Sequence, residues 1–269
     1  MITASIVTYH HTPQEITKVL ECVINSSVEK IYIIDNTNND QLRSLEKLSP
    51  KIRYIHNENI GYGGSHNIAL RDAINIDSDY HIVINPDIYF ETGVIEHIAE
   101  YMDSNLDVGQ LMPKILYPAG EIQHLCKLLP TPIDLVVRRF IPFKSVKEKL
   151  DSTYELRTLD YEAISEIPSL SGCFMFLRCK TIKKVGLFDD NFFMYAEDLD
   201  LCRRVGMVSK TVFYPKVSVY HAYEKGSYKS GKLLKYHITS VVKYFNKWGW
   251  IFDSYRRRIN KNTLNKINK

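Results

Sequence analysis

Apolar positions along this chain alternate between two periods. Ile2 to Tyr9 is a short, nearly continuous apolar run and reads as a buried strand. Thr12-Pro13-Gln14-Glu15 has the make-up of a helix start, with Thr as N-cap, Pro at the first helical position and Glu at the third. Ile16, Val19, Leu20, Val23 and Ile24 carry that helix on at helical spacing. Ile31–Asp35 predicts a second strand, Leu42, Leu45 and Leu48 a second helix, and Ile52–Ile55 a third strand. This β-α-β-α-β order predicts an α/β protein with a mostly parallel central sheet flanked by helices. Such sheets bind ligands beyond the carboxyl ends of their strands. Thr8 to His11, Asp35-Asn36 and Asn57 to Asn67 are therefore the first places to look.

The stretch from Asn59 to Asn67 holds Gly61, Gly63 and Gly64 and opens a helix whose stripe is Ile68, Leu70, Ala73 and Ile74. Glycines before a helix admit a ligand to the backbone, and the helix N–H groups can meet an anion. The same pattern also fits a tight strand-to-helix turn. The stretch is neither GxGxxG, since His66 interrupts it, nor a P-loop. His81–Asn85 is an apolar strand closed by Pro86 and Asp87. An Asp at a strand's carboxyl end suits a hard divalent cation shared with ligand phosphates, or a solvated turn. Thr92 reads as the cap of the next helix, with Val94, Ile95, Ile98, Tyr101 and Met102 as its stripe.

Val108 to Tyr117 reads as a bent strand or strand pair, turned by Pro118-Ala119-Gly120. Residues 126–166 have no clean period and include Arg138, Arg139, Lys144, Lys147 and Lys149. They read as a variable insertion, either mobile over the site or, as the preferred reading, a surface excursion. Ile167–Leu177 returns to strand, where Gly172 permits close approach. Phe192–Asp200 then places Glu197, Asp198 and Asp200 within one helical turn. Carboxylates suit a helix start on electrostatic grounds alone, and they equally suit catalysis. Thr211–Pro215 and Val217–His221 read as strands, and His221 is either a metal ligand at the rim or a hydrogen-bonded surface residue. The rest, from Lys232, is helical in character. It combines Tyr244, Phe245, Trp248, Trp250, Ile251 and Phe252 with Arg256-Arg257-Arg258, which suits either docking on the domain or an anionic membrane surface.

Composition narrows the class. The 269 residues suffice for one large α/β domain with an appendage. A net charge of +4 is too mild to imply nucleic acid. The 5 cysteines form no CxxC pair, which points to reduced thiols in a cytoplasmic protein. The first residues carry no basic start, so no signal peptide is expected, and no apolar run reaches the length of a membrane helix.

Taken in order, Ser5–Tyr9, Ile34-Asp35-Asn36, Asn59–Asn67, Asn85-Pro86-Asp87, Ser171-Gly172, Tyr195–Asp200 and Val219-Tyr220-His221 resemble glycosyltransferase family 2. More narrowly they resemble the rhamnosyltransferase-like bacterial branch that builds cell-surface polysaccharides. The resemblance runs from Ile2 to Ser227. It implies a GT-A fold in residues 1–227, with about 1–120 as the nucleotide-binding half, followed by a basic helical extension in 228–269. It implies an inverting transfer from a nucleoside-diphosphate sugar, dTDP-rhamnose or a UDP-sugar, to a glycan or lipid-linked acceptor, with Mg²⁺ or Mn²⁺ as cofactor.

By the same resemblance, Thr8 and Tyr9 lie under the nucleotide and Asp35, with Asn36 beside it, meets the base. Gly61, Gly63, Gly64 and Asn67 shape the pocket, and Asn85 holds the donor. Asp87 and His221 hold the metal. Asp198 is the general base, with Glu197 orienting it or touching the acceptor. Ser171, Gly172 and Asp200 lie on the acceptor side. The family's usual Asp-x-Asp is here Asn-Pro-Asp, one carboxylate fewer. A nucleotidyltransferase would carry a basic, Gly-rich stretch near its N-terminus, which Ser5–His10 lacks. A non-catalytic nucleotide-sugar-binding homologue is the other alternative. It would be expected to have lost the base or a metal ligand, yet Asp87, Asp198 and His221 are all present. Residues 228–269 leave open a peripheral contact with the inner face of the cell membrane.

Overall fold

The first strand, β1 (Ile2–Thr8), is buried along its whole length. In this computed structural model, which describes residues 1–136, 141, 143–222 and 231–267, β1 runs through the middle of a parallel block. It lies between β2 (Lys30–Asp35) and β4 (Tyr80–Ile84), with β3 (Ile52–His56) beyond β2, all four parallel. The sheet continues past β4 through β8 (Phe174–Arg178), β6 (Val108–Leu116), β9 (Lys210–His221) and β5 (Ile88–Phe90). The short β7 (Ser165–Glu166) pairs with β9. Strands β5, β7 and β8 run against the others.

Two polar residues break the apolar run of β1, and both are satisfied internally. Thr3 Oγ1 meets His81 Nδ1 at 2.7 Å, while Ser5 Oγ meets His81 Nε2 at 2.8 Å and His66 Nδ1 at 2.7 Å. Burial pushes His81 down to about 3, so it is neutral and both ring nitrogens serve the network.

The capping box at Thr12 and Glu15 starts α1 (Pro13–Ile24) as its residues predict. The second expected helix is a 3₁₀ helix over Gln41–Leu48. Helix α2 (Tyr62–Asn75) follows β3, and α3 (Val94–Ser104) follows β5. The cap of α3 is Gly93 at φ 93°, not Thr92. A residue with φ > 0 reverses the chain there, which glycine does without the cost of a Cβ.

Residues 126–166 are not a surface excursion. They hold α4 (Pro132–Leu135) and α5 (Lys144–Tyr154), and Cys126, Leu128, Tyr154, Leu156, Leu159 and Tyr161 enter the main core. Aperiodic sequence hid this because the buried residues sit on short, irregular pieces. Arg138 and Arg139 lie outside the described residues, as does the 227/228 boundary. Ile167–Cys173 is not strand either; the strand begins at Phe174, so Gly172 belongs to the approach loop.

Helix α6 (Cys179–Val185) leads to α7 (Glu197–Gly206), and the chain ends in α8 (Gly231–Trp248) and α9 (Ser254–Ile267). Val241, Tyr244 and Phe245 of α8 bury against Phe192, Ala196 and Leu199. The last helices thereby support the segment that begins α7. Among the described residues no helix is long and apolar enough to cross a membrane.

Candidate active site

A cavity of about 830 Å³ opens beyond the carboxyl ends of the parallel strands. Its lining includes Thr8 and Tyr9 after β1, Asn36 after β2, Asn59 and Gly61 before α2, and Asn85 to Tyr89 after β4. His221, at the end of β9, closes the far side with Ala222. Residues distant in sequence reach one rim because the sheet aligns their strand ends.

The pairing of β5 with β9 sets Ile88 opposite His221. That register brings Asp87 Oδ1 to 3.3 Å from His221 Nε2. Gln123 fixes the ring from behind: its Oε1 lies 3.0 Å from Nδ1, and its Nε2 donates to the His221 carbonyl at 2.8 Å. Among the protein groups alone, burial opposes a charge on this imidazole, but hydrogen bonding to Asp87 and Cys173 outweighs it and pushes the group up to about 10; a metal ion on Nε2 would take the place of that proton. An imidazole held at Nδ1 presents Nε2 outward, the usual arrangement behind a metal-binding histidine. An Asp oxygen and a His nitrogen this close fit neighbouring positions on one divalent cation. Among the described residues no third His, Cys, Asp or Glu joins them. The remaining positions would fall to ligand oxygens and water, as Mg²⁺ prefers.

Tyr62 links this corner to the acidic helix start. Its hydroxyl lies 2.9 Å from Asn85 Oδ1 and 2.8 Å from the Gly172 carbonyl. A phenol has one proton, so it cannot donate to both. Donation to Gly172, with the Asn85 amide turned so that its NH₂ meets the phenol oxygen, satisfies all three groups. Burial first, then the charges of Glu197, Asp198 and Asp87, push the Tyr62 phenol well up. Both acidic clusters therefore act on the same side chain.

The backbone N–H of Gly172 donates to Asp198 Oδ2 at 3.0 Å, and the Leu199 N–H to Oδ1 at 2.8 Å. Glu197 is buried, and its Oε2 has no hydrogen-bond partner. Burial raises the pKa of both carboxyls, Glu197 well above the ordinary range, where Asp198 adds repulsion. The backbone donors favour the ionised form of Asp198. Glu197 thus holds the proton more firmly, and Asp198 is the carboxylate that ionises first. The turn that presents them is strained: Tyr195 and Ala196 are both left-handed, at φ 70° and 65°. Gly61 anchors this turn. Its φ is 90°, and a Cβ there would lie 2.1 Å from the Phe193 carbonyl oxygen.

Several residues expected at the site are elsewhere. Asp35 is fully buried, and its carboxylate accepts from Thr8 Oγ1 at 3.2 Å, Thr37 N–H at 3.0 Å and Tyr54 OH at 3.1 Å. It braces the strand ends and does not line the cavity; Asn36 does. Gly63, Gly64 and Asn67 lie inside α2, not before it. Gly63 lets the helix close on Phe188, and Asn67 exchanges hydrogen bonds with the Phe188 backbone at 2.9 and 3.0 Å. Asp200 is buried against Arg204, Lys247 and the Trp248 indole at 2.8–2.9 Å, so it cannot also receive an acceptor sugar. Ser171 Oγ accepts from the Cys173 N–H at 3.3 Å, and neither it nor Gly172 lines the cavity.

Sequence reasoning missed Tyr62, Gln123, Met194 and Lys18. Lys18 lines the cavity from α1, with Nζ 3.1 Å above the Tyr89 ring. Only its place one helical turn after the capping box at the first strand end signals it. Gln123 gave no signal, because its role depends on a 98-residue separation from His221.

Residues 4–186 match the family described as glycosyl transferase family 2. The rhamnosyltransferase WbbL of Escherichia coli is 24% identical over 248 residues, 89% of this chain and 90% of that protein. The N-acetylglucosaminyl-diphospho-decaprenol L-rhamnosyltransferase of Mycobacterium tuberculosis is 27% identical over 231 residues, 79% of this chain and 73% of the relative. Among solved structures, GalNAc-T7 with UDP, GalNAc and Mn²⁺ superposes with a TM-score of 0.63 at 13% identity. That alignment covers 90% of this chain and 47% of GalNAc-T7, so this chain spans about half of that structure's length. At such identity the likeness bears on the fold alone, which is the GT-A arrangement.

Proposed function

The chain belongs to glycosyltransferase family 2, and from that premise we propose that it is a metal-dependent, inverting hexosyltransferase of polysaccharide assembly. The donor is a nucleoside-diphosphate sugar, with dTDP-rhamnose the first candidate given the two rhamnosyltransferase relatives and a UDP-sugar the second. The acceptor is a hydroxyl on a glycan or lipid-linked sugar. Free cysteines throughout and the acceptor class favour a cytoplasmic enzyme working at the inner face of the cell membrane.

One observation carries this reading. Asp87 and His221 form a 3.3 Å pair in the cavity, while Asp198 stands apart from them across Tyr62 and Gly172. Inverting displacement needs such a division, with leaving-group chemistry on one side of the anomeric carbon and the base on the other. Asp87 and His221 would hold Mg²⁺ or Mn²⁺, which as a Lewis acid would offset the charge on the departing diphosphate. Thr8, Tyr9, Asn36 and Gly61 would bound the nucleotide, and Asn85 the donor sugar. Asp198 would take the proton of the attacking hydroxyl. Glu197, protonated, would sit beside it as a hydrogen-bond donor to the acceptor. The Gly172 N–H would hold the Asp198 carboxylate in place for that step.

A panel of nucleotide sugars, each scored by thermal shift and hydrolysis with and without Mg²⁺ or Mn²⁺, tests this. A metal-dependent shift with one donor, erased by Asp87→Ala, is the expected result. No shift with any sugar nucleotide in the folded protein would favour a non-catalytic role instead.

A further inference from the structure

The turn between α8 and α9 holds three large apolar side chains out in water. Trp250 is 39% exposed, Ile251 67% and Phe252 86%. The turn is rigidly built. Gly249 reverses the chain at φ 97°. The buried Arg256 guanidinium donates to the carbonyls of Gly249 at 3.3 Å, Trp250 at 3.1 Å and Ile251 at 3.5 Å. Asp253 is buried in a two-pronged pair with Arg203 at 2.6 and 2.8 Å. The backbone of the tip is therefore fixed by internal partners. Trp250 leans back on Phe245, with ring centres 5.2 Å apart and its indole N–H donating to Asn246 Oδ1 at 2.8 Å, while Ile251 and Phe252 project furthest into water.

The charges carried by α8, the turn and α9 are almost all of one sign. From Gly231 to Ile267 the only acidic residue is Asp253, and the Arg203 pair consumes it. Arg257, Arg258 and Lys261 are exposed on α9 beside the tip, and the Arg257 guanidinium lies 5.9 Å from the Phe252 ring centre. Bulky apolar side chains at a fixed point, flanked by exposed cations of α9, match the two layers of an anionic bilayer surface: acyl boundary and phosphates. No described helix could cross the bilayer, so such contact would be superficial.

We propose that this turn is a membrane-docking tip, in which Ile251 and Phe252 enter the headgroup region of an anionic bilayer and Arg257, Arg258 and Lys261 engage its phosphates. The proposal rests on the lipid-linked acceptor reading for its purpose, but not for its chemistry. Arg203 lies five residues after Asp198 on α7, about 8 Å along the helix. A bilayer held at the tip would thus lie a short, stiff path from the acceptor side.

Flotation of the full chain with vesicles tests the idea. Vesicles of phosphatidylcholine alone are compared with vesicles that also contain phosphatidylglycerol. The wild type should bind the second kind, weakly at high salt, and the first kind poorly. Ile251→Ser with Phe252→Ser, and separately Arg257→Ala with Arg258→Ala and Lys261→Ala, should each cut binding by about tenfold or more. All five side chains are exposed, so these variants should fold, and their hydrolysis of a soluble donor should be unchanged. Equal binding by wild type and variants would overturn the proposal. So would absent vesicle binding by the wild type, including the case in which it self-associates through the tip. Loss of donor hydrolysis in every protein with vesicle binding intact would instead count against the transferase reading and leave the tip standing.

Discussion

Gly172 and Asp198 are in direct contact: the glycine N–H donates to the carboxylate at 3.0 Å, and a Cβ on residue 172 would lie 3.1 Å from the Asp198 Cβ. The absence of a side chain at 172 is what lets the loop before β8 orient the carboxylate. Gly172→Ala should push Asp198 by a few tenths of an ångström and lower kcat by about tenfold, leaving donor affinity nearly intact. Steady-state kinetics with the donor varied would check this. A raised donor KM at unchanged kcat would argue that residue 172 serves donor binding.

The neighbouring carboxyls should respond differently to neutralisation. Asp198→Asn removes the group that ionises and should cost about 10²–10⁴-fold in kcat. Glu197→Gln mimics the protonated form that burial and repulsion already favour, and should retain most activity near neutral pH. Because burial also raises Asp198, the acid limb of kcat should lie above the ordinary carboxylate range, with activity rising as pH rises through it. A pH–rate profile of the wild type beside Glu197→Gln would reveal both. Collapse of Glu197→Gln to the level of Asp198→Asn would overturn the division of roles.

The Asp87–His221 pair makes a prediction about metal binding apart from turnover. Titration of Mn²⁺ with a nucleoside diphosphate should show tight joint binding in the wild type. Asp87→Asn should weaken it by about 10²-fold or more, and Gln123→Ala, acting only through the His221 ring, by about tenfold. Unchanged Mn²⁺ affinity in Asp87→Asn would place the cation elsewhere.

Much of this site was legible because strand ends announce themselves. Asn85-Pro86-Asp87 and His221 stood out as polar residues closing apolar runs, and the sheet brings them together. Asp35 has the same signature and a different fate. Its carboxylate turns toward Thr8 and Tyr54, and no periodicity reveals the direction of a strand's last side chain. Gly63, Gly64 and Asn67 were misplaced because the helix begins at Tyr62, one turn earlier than a glycine-rich stretch suggests. Asp200 was expected on the acceptor side, beside Asp198. Two positions along a helix turn it about 200° around the axis, toward Lys247 and Trp248 of a segment 47 residues away in sequence. Local pattern fixes which residues are polar; only tertiary packing decides which of them meet the ligand.

The Arg203–Asp253 pair gives a prediction about stability. Both side chains are only 3% exposed, and they join the base of α7 to the start of α9. Burial alone would raise the Asp253 carboxyl, but hydrogen bonds from Arg203 and the Arg256 N–H outweigh it and hold the group below the ordinary carboxylate range. Its stabilising contribution is thus present above the unfolded-state value and is lost as pH falls through the folded one. Asp253→Ala leaves Arg203 buried without its partner, a change that costs about 3–5 kcal/mol in comparable pairs. For a chain of this size that corresponds to a drop in Tm of roughly 6–20 °C at pH 7. The difference between wild type and variant should narrow below about pH 4, where the carboxylate takes up a proton in the unfolded chain while the folded one still keeps its charge. Thermal melts of both proteins across that range would test it. A constant gap at every pH would mean that the stabilisation comes from packing around Asp253 and not from its charge.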